Sequence, residues 1–273
     1  IIKNSFYKNS ATGFFINRTV FSCFLVLCFF CGAEYLRLFK KYNKDTSENF
    51  FRKIHVRIYI LFITIGIITT FSRIGNFLLI SLIIFYFCYL LLNKKEKDNF
   101  FLNTLLLIVI FDILILGYYF GSEKLFSRFY FLSNEINEYF PNLESNNLSR
   151  GSTALFALQK IKEFIFFGYG LGGFEYLFKI DYPDLSSKYV DHAHSDLPEF
   201  IGELGLIGFL NLLLVILLTF IRNNFFQFKN LLLIYFLIIL LIFDFSLHIP
   251  LIQFLLVILF SINTDNDKFK TLA

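Results

Sequence analysis

The residues best suited to chemistry stand in one stretch, Asp191 to Leu210, which sets His192 and His194 beside Asp196, Glu199 and Glu203 at the start of an apolar run. Ser195 and Asp196, followed by Pro198 and Glu199, spell a helix start, with Asp196 and Glu199 spaced as in a capping box. His194 therefore stands just outside a helix mouth. From Phe209 to Phe220 the run is almost wholly apolar, so it enters a bilayer and leaves His194 at the water-facing end, where an imidazole can exchange protons. Gly202, Gly205 and Gly208 recur at every third position, a spacing that lets another helix or a lipid chain approach the backbone closely.

The elements that must position these groups follow from composition. Of 273 residues, 56% are apolar, 41 are Phe and none is Trp, and mean hydropathy is +0.64, which no ordinary soluble domain sustains. The class is an all-α, polytopic membrane protein. The net charge of +4 is small, and the basic residues fall in short clusters beside apolar spans, which argues against a nucleic-acid partner. The chain starts at Ile1 and contains no Met, so the expectation is a C-terminal fragment of a longer protein. Cys23, Cys28, Cys31 and Cys88 all lie in apolar spans; the Cys28 to Cys31 spacing lacks any βαβ context or second pair, and these thiols read as packing residues.

Apolar runs long enough to cross roughly 30 Å of hydrocarbon predict about seven transmembrane helices. Four fall within 1–119, at Phe14–Tyr35, Ile54–Phe71, Ile74–Leu92 and Phe100–Tyr119, and three within 196–263, at Leu197–Phe220, Leu231–Phe243 and Ile249–Ile262. Between them, residues 120–195 form an amphipathic helical domain without a spanning run, and 264–273 form a tail. Basic residues beside spans are retained on the cytoplasmic side. Segments 36–53, 93–99, 221–229 and 264–273 carry thirteen Lys and Arg, while the opposite short segments carry only Lys3, Lys8 and Arg73. The amphipathic domain therefore faces outward and the tail inward. On that reading Asn17, Arg18, Arg73, Arg150, His192, His194, Asp244 and His248 converge on one leaflet.

Within the outer domain, Asn147, Ser149 or Ser152 can cap a helix through Leu155, Phe156, Leu158, Ile161, Phe164 and Ile165, with Lys160 and Lys162 on the other face, lying in the interface. Gly168 to Gly173 then end it in a turn. Its glycines match part of a nucleotide fingerprint, but no strand precedes them and no suitable helix follows, which argues against dinucleotide binding.

His194-Ser195, nine residues, then Gly205-Leu-Ile-Gly208 resembles the H-[NSQ]-x9-G-x-x-G motif of the bacterial O-antigen ligases and the related O-antigen polymerases. Flanking pieces resemble that family in the same order: Gly13 to Arg18, Thr70 to Arg73, Arg150 ahead of Phe167 to Phe174, and Asp244 to Pro250. The resemblance covers nearly the whole chain, with Thr19 standing where the family often has Asn. It implies glycan transfer at the periplasmic face of the inner membrane, from an undecaprenyl diphosphate carrier to a sugar hydroxyl on a glycan or lipid core. Ligase and polymerase share these motifs.

The chemistry of the residue types agrees with that implication. An acceptor hydroxyl is a poor nucleophile until a base takes its proton, and imidazole, with an ordinary pKa of about 6.5, suits the task. His194 is the candidate catalytic base. The diphosphate leaving group needs fixed cations, and Arg73 and Arg150 offer planar, permanently charged forks. Asn17, Arg18 and Glu203 complete the expected substrate-binding set, while His192 and His248 are read as orienting neighbours and closing hydrogen bonds. No acidic cluster with divalent-metal spacing stands beside the arginines, so neither a metal nor another cofactor is expected. The bland alternatives are a snorkelling Arg73 at a turn and Glu199 and Glu203 as charges offsetting a helix dipole. A transporter or flippase of an anionic lipid-linked glycan is the competing function. It would use the same residues as a gate, but transporters carry internal repeats and helices broken at mid-depth, and neither is legible here.

Overall fold

Asn17 starts the first helix, α1 (Arg18–Tyr42): its Oδ1 accepts the Thr19 N–H at 2.7 Å and its carbonyl accepts the Phe21 N–H at 3.2 Å. The computed structural model describes residues 10–42, 47–93, 99–110, 114, 150–182, 190–222 and 227–262. These divide between two compact units, residues 1–122 with 262–273 and residues 123–261. Among the described residues all regular structure is helical.

In the first unit, α2 (Ser47–Thr69) runs antiparallel to α1, and α3 (Arg73–Leu92) runs parallel to it. The pairings fix that order. A side chain at Gly75 of α3 would collide with Ser22 near the start of α1, and one at Gly32 would collide with Ile60 of α2. Further along, Tyr86 of α3 donates to Glu34 Oε1 of α1 at 2.8 Å, and Arg37 pairs with Glu34 at 2.9 Å. Glu34 is buried, and the hydrogen bond from Tyr86 ties α1 to α3 while the Arg37 pair, within α1, offsets the buried charge; removing one partner of a buried ion pair costs about 3–5 kcal/mol. A fourth helix, α4 (Asn99–Ile110), lays the Phe101 ring edge-on to Tyr86, centroids 5.6 Å apart.

The second unit contains α5 (Arg150–Ile161), α6 (Phe174–Asp181), α7 (Asp196–Arg222), α8 (Phe228–Phe243), a 3-10 turn (Ser246–His248) and α9 (Pro250–Ser261). One core of this unit is Phe156, Ala157, Phe174, Phe178 and Ala193, with Phe156 edge-on to Phe178 at 5.1 Å. Burial of those rings docks α5 and α6 against the loop that leads into α7.

The observed helices match the apolar runs, with informative differences. Among the described residues three helical segments, rather than the seven expected, are long and apolar enough to cross a membrane: Arg18–Phe39, Arg73–Leu92 and Asp196–Leu218. Asn99–Ile110, Phe228–Phe243 and Pro250–Ser261 are shorter apolar helices. The first run starts helical at Arg18 rather than Phe14, because Asn17 caps there. The helix expected to run through Ile165 stops at Ile161, and Leu158 on its expected apolar stripe is 49% exposed. The end of the fourth expected span, the outer segment 120–149, Lys94 to Lys97 and the tail 264–273 lie outside the described residues.

The largest difference is in α7. Gly205 has φ 67° and ψ 172°, so the helix expected over Leu197–Phe220 is broken in two. Only glycine adopts that backbone without strain. The break frees N–H groups that Ile165 and Phe166 take: Leu206 N donates to Ile165 O at 2.8 Å and Ile207 N to Phe166 O at 3.3 Å.

Candidate functional site

The glycine turn and the break in α7 hold one another. Tyr169 N donates to Gly202 O at 2.9 Å and Gly170 N to Glu203 O at 3.1 Å. A Cβ on Gly168 would overlap the Glu203–Gly205 backbone, one on Gly205 would overlap Phe166 and Gly168, and one on Gly202 would strike the Tyr169 ring. What the spaced glycines admit is therefore the turn at 166–170 rather than another helix or a lipid chain. Gly208 meets only Leu204 of its own helix.

The loop before α7 is fixed on both sides of His194. Ala193 N donates to Glu199 Oε2 at 2.7 Å, and Ala193 O accepts from Thr153 Oγ1 of α5 at 3.2 Å. On the other side, Ser195 Oγ donates to Ile242 O at 2.9 Å and Asp196 N to Asp244 O at 2.9 Å. Between these anchors His194 has φ 58°, in the left-handed region, which a β-carbon disfavours. Its half-buried ring stands edge-on to Phe245 with centroids 5.5 Å apart.

Beneath the loop lie three carboxylates, Asp196, Glu199 and Glu203, each at most 2% exposed. Asp196 does not act as the expected cap. Its Oδ2 accepts the Leu247 N–H at 2.8 Å and its Oδ1 accepts a short hydrogen bond from His248 Nδ1, tying α7 to the 3-10 turn. Glu199 Oε1 faces His192 Nδ1 at 2.8 Å. Glu203 Oε1 accepts the Gly172 N–H at 2.8 Å, while Oε2 is buried without a hydrogen-bond partner. His248 Nε2 lies 3.5 Å from Glu203 Oε2 and 3.6 Å from Glu199 Oε1, in ion-pair rather than hydrogen-bond range.

Charge and burial compete at both histidines. Burial disfavours the imidazolium of His248, but the hydrogen bond to Asp196 and the nearby Glu203 and Glu199 carboxylates outweigh it and push its pKa up to about 10. Burial likewise opposes the charged form of His192, and Glu199 and Asp191 raise its pKa nonetheless. Burial, with Glu203 and Glu199 alongside, pushes the Tyr169 phenol up.

The other expected site residues fall as follows. Asn17 and Arg18 at the start of α1, and Arg73 at the start of α3, lie at one end of the first unit, since the two helices are parallel and touch at Ser22 and Gly75. Asn17 spends its side-chain oxygen on the α1 cap. Arg73 is exposed and follows Ser72, whose Oγ accepts the Gly75 N–H at 3.3 Å. Arg150 is the first residue of α5. All three arginines thus open helices, where a cation opposes the macrodipole and costs about 0.3–1 kcal/mol. An anion at such an end is favoured by the dipole.

Sequence reasoning placed His192 and His248 as hydrogen-bonding neighbours, which they are, but missed the carboxylate cluster. A signal existed. Asp196, Glu199 and Glu203 recur at i, i+3 and i+7, which puts three acids on one helical face. His192, Glu199 and His248 also bring potential metal-ligating atoms within 4.8 Å of one another, an arrangement the search for metal spacing beside the arginines did not reveal.

A family model described as O-antigen ligase matches residues 58–213, a stretch that contains Arg73, Arg150, His194 and the glycines of α7. Neither curated proteins nor solved structures yielded a match.

Proposed function

Because the chain belongs to the O-antigen ligase family, a membrane glycan-transfer family, we propose that it moves a glycan from undecaprenyl diphosphate to a sugar hydroxyl at the periplasmic face of the bacterial inner membrane. In this reading His194 accepts the proton of the acceptor hydroxyl as its oxygen attacks the anomeric carbon. The bond from that carbon to the diphosphate breaks, and its electron pair leaves on the phosphate oxygen. Arg73 and Arg150 hold the diphosphate, and Arg18 adds charge at the Arg73 end of the first unit. Glu203 supports the site through the glycine turn, and Asn17 acts by starting α1.

The observation that carries the reading is the backbone of His194. A non-glycine residue in the left-handed region persists only where its surroundings hold it, and such residues gather at functional sites. Here the strain falls on the histidine of the matched motif, between anchors at Ala193 and Asp196.

The break at Gly205 favours the competing transporter reading, which looks for interrupted helices. Against it, the N–H groups freed by the break are taken by Ile165 and Phe166 rather than left to meet cargo. One experiment separates the two. Purified protein in vesicles is given a lipid-diphosphate-linked glycan, with and without a glycan acceptor. Transfer predicts a lengthened acceptor and released carrier diphosphate only when acceptor is present. Movement of donor across the bilayer without any acceptor, and no product with it, would contradict the proposal.

A further inference from the structure

The geometry points to a divalent-cation site of zinc class built by His192, Glu199, Glu203 and His248, with Asp196 orienting His248. It concerns metal binding and does not depend on the glycan-transfer reading.

The starting point is charge. Three carboxylates in the first two turns of α7 are at most 2% exposed, and two imidazoles are the basic groups facing them. Burying carboxylates without compensation is costly, so positive charge is required among them. Two ligand-grade atoms meet there without hydrogen bonds: Glu203 Oε2 and His248 Nε2, both buried and 3.5 Å apart. A buried carboxylate oxygen that faces an imidazole nitrogen only at ion-pair distance has room for a closer partner.

The distances suit a metal better than a hydrogen bond. Zinc binds imidazole nitrogen and carboxylate oxygen at about 2.0–2.2 Å in tetrahedral geometry, which sets ligand atoms about 3.4 Å apart. His248 Nε2 stands 3.5 Å from Glu203 Oε2 and 3.6 Å from Glu199 Oε1. The ligating atoms of His192, Glu199 and His248 all fall within 4.8 Å of one another; His192 Nδ1 and Glu199 Oε1, at 2.8 Å, would move slightly apart to receive an ion.

The surroundings are those of a supported ligand set. His248 Nδ1 donates to Asp196, which turns Nε2 toward the carboxylates, the arrangement by which a second carboxylate orients a metal-bound imidazole. Phe200 stacks on the His248 ring at 4.1 Å with an 8° tilt, and Phe245 stacks on His192 at 5.0 Å and 17°. Both rings are therefore held in place. Two nitrogens and two oxygens exclude soft copper(I) and favour zinc over magnesium, which asks for octahedral oxygen. Such an ion would tie the loop at His192 to both α7 and the 3-10 turn.

The test uses the full chain in detergent, stripped of metal and titrated with Zn²⁺ alone by calorimetry, with thermal melting in parallel. One zinc per chain is expected, with a rise in melting temperature and an X-ray absorption spectrum showing only nitrogen and oxygen ligands near 2 Å. Glu203→Gln, which keeps the side-chain shape, should weaken binding at least tenfold. His192→Gln, at a partly exposed ring that can change with little effect on folding, should do the same. Absence of zinc binding, sulfur in the absorption spectrum, or equal affinity in wild type and a folded His192→Gln variant would overturn the site and leave protonated histidines as the compensating charge.

Discussion

His194 holds φ 58° between two anchored neighbours, and for a residue with a β-carbon that conformation costs about 1–3 kcal/mol. The cost belongs to the backbone, so it can be read apart from the imidazole. His194→Ala and His194→Gly both remove the ring, but only glycine adopts the left-handed conformation freely. The glycine variant should therefore be more stable than the alanine variant by about 1 kcal/mol, measured by denaturant or thermal unfolding in detergent, with transfer lowered at least about a hundredfold in both. Equal stabilities would mean the position carries no strain. This strain was not legible in the sequence, because a motif fixes which residue stands at a position and not its φ. By contrast, the pairing of His192 with Glu199 and of His248 with Asp196 was partly legible, since histidines beside acids seek hydrogen bonds.

Among the elements, α7 does most to shape the second unit. Its first half carries three buried acids and its second half, Leu206 to Arg222, is 17 residues long, about 25 Å of helix. The turn at 165–170 closes the break between the halves by main-chain hydrogen bonds. Gly205→Ala therefore meets two penalties, a strained φ and an overlap with the Phe166–Gly168 backbone. It should lower transfer at least tenfold and raise hydrogen exchange at Leu206 and Ile207. Gly208→Ala, which meets only a side chain of its own helix at 3.0 Å, should keep more than half of the activity. Equal losses in the two variants would show that the break has no particular role. The positions of the apolar helices were legible because bilayer length and hydropathy demand them; the break was not, because glycine at threefold spacing fits helix packing equally well. What distinguishes the two is a partner more than thirty residues upstream, Ile165 to Gly170, found by folding rather than by periodicity.

At the scale of the molecule, the helical structure of the described residues and three apolar helices of spanning length among them agree with what composition requires. Orientation rests on the contrast of thirteen basic residues on one side with three on the other in the short segments. Single cysteines introduced into a chain lacking its four native ones make this testable. A cysteine within 121–148 should react with a membrane-impermeant maleimide added outside intact cells, and one within 94–99 should react only after permeabilisation. The reverse pattern would put the His194 loop on the cytoplasmic side, away from any periplasmic acceptor.

The central claim is that His194 removes the acceptor proton while the arginines hold the donor, and separate measurement of binding and transfer tests it most directly. Purified wild type, His194→Ala and Arg73→Ala would each be assayed for binding of the lipid-diphosphate donor and for glycan transfer at saturating acceptor. His194→Ala should bind donor within about twofold of wild type and lose transfer by roughly a hundredfold to ten-thousandfold, the contribution of a general base. Arg73→Ala should lose donor affinity by at least about tenfold, the loss of a charged hydrogen bond. A His194→Ala protein that transfers normally, or that fails only because donor no longer binds, would contradict the account.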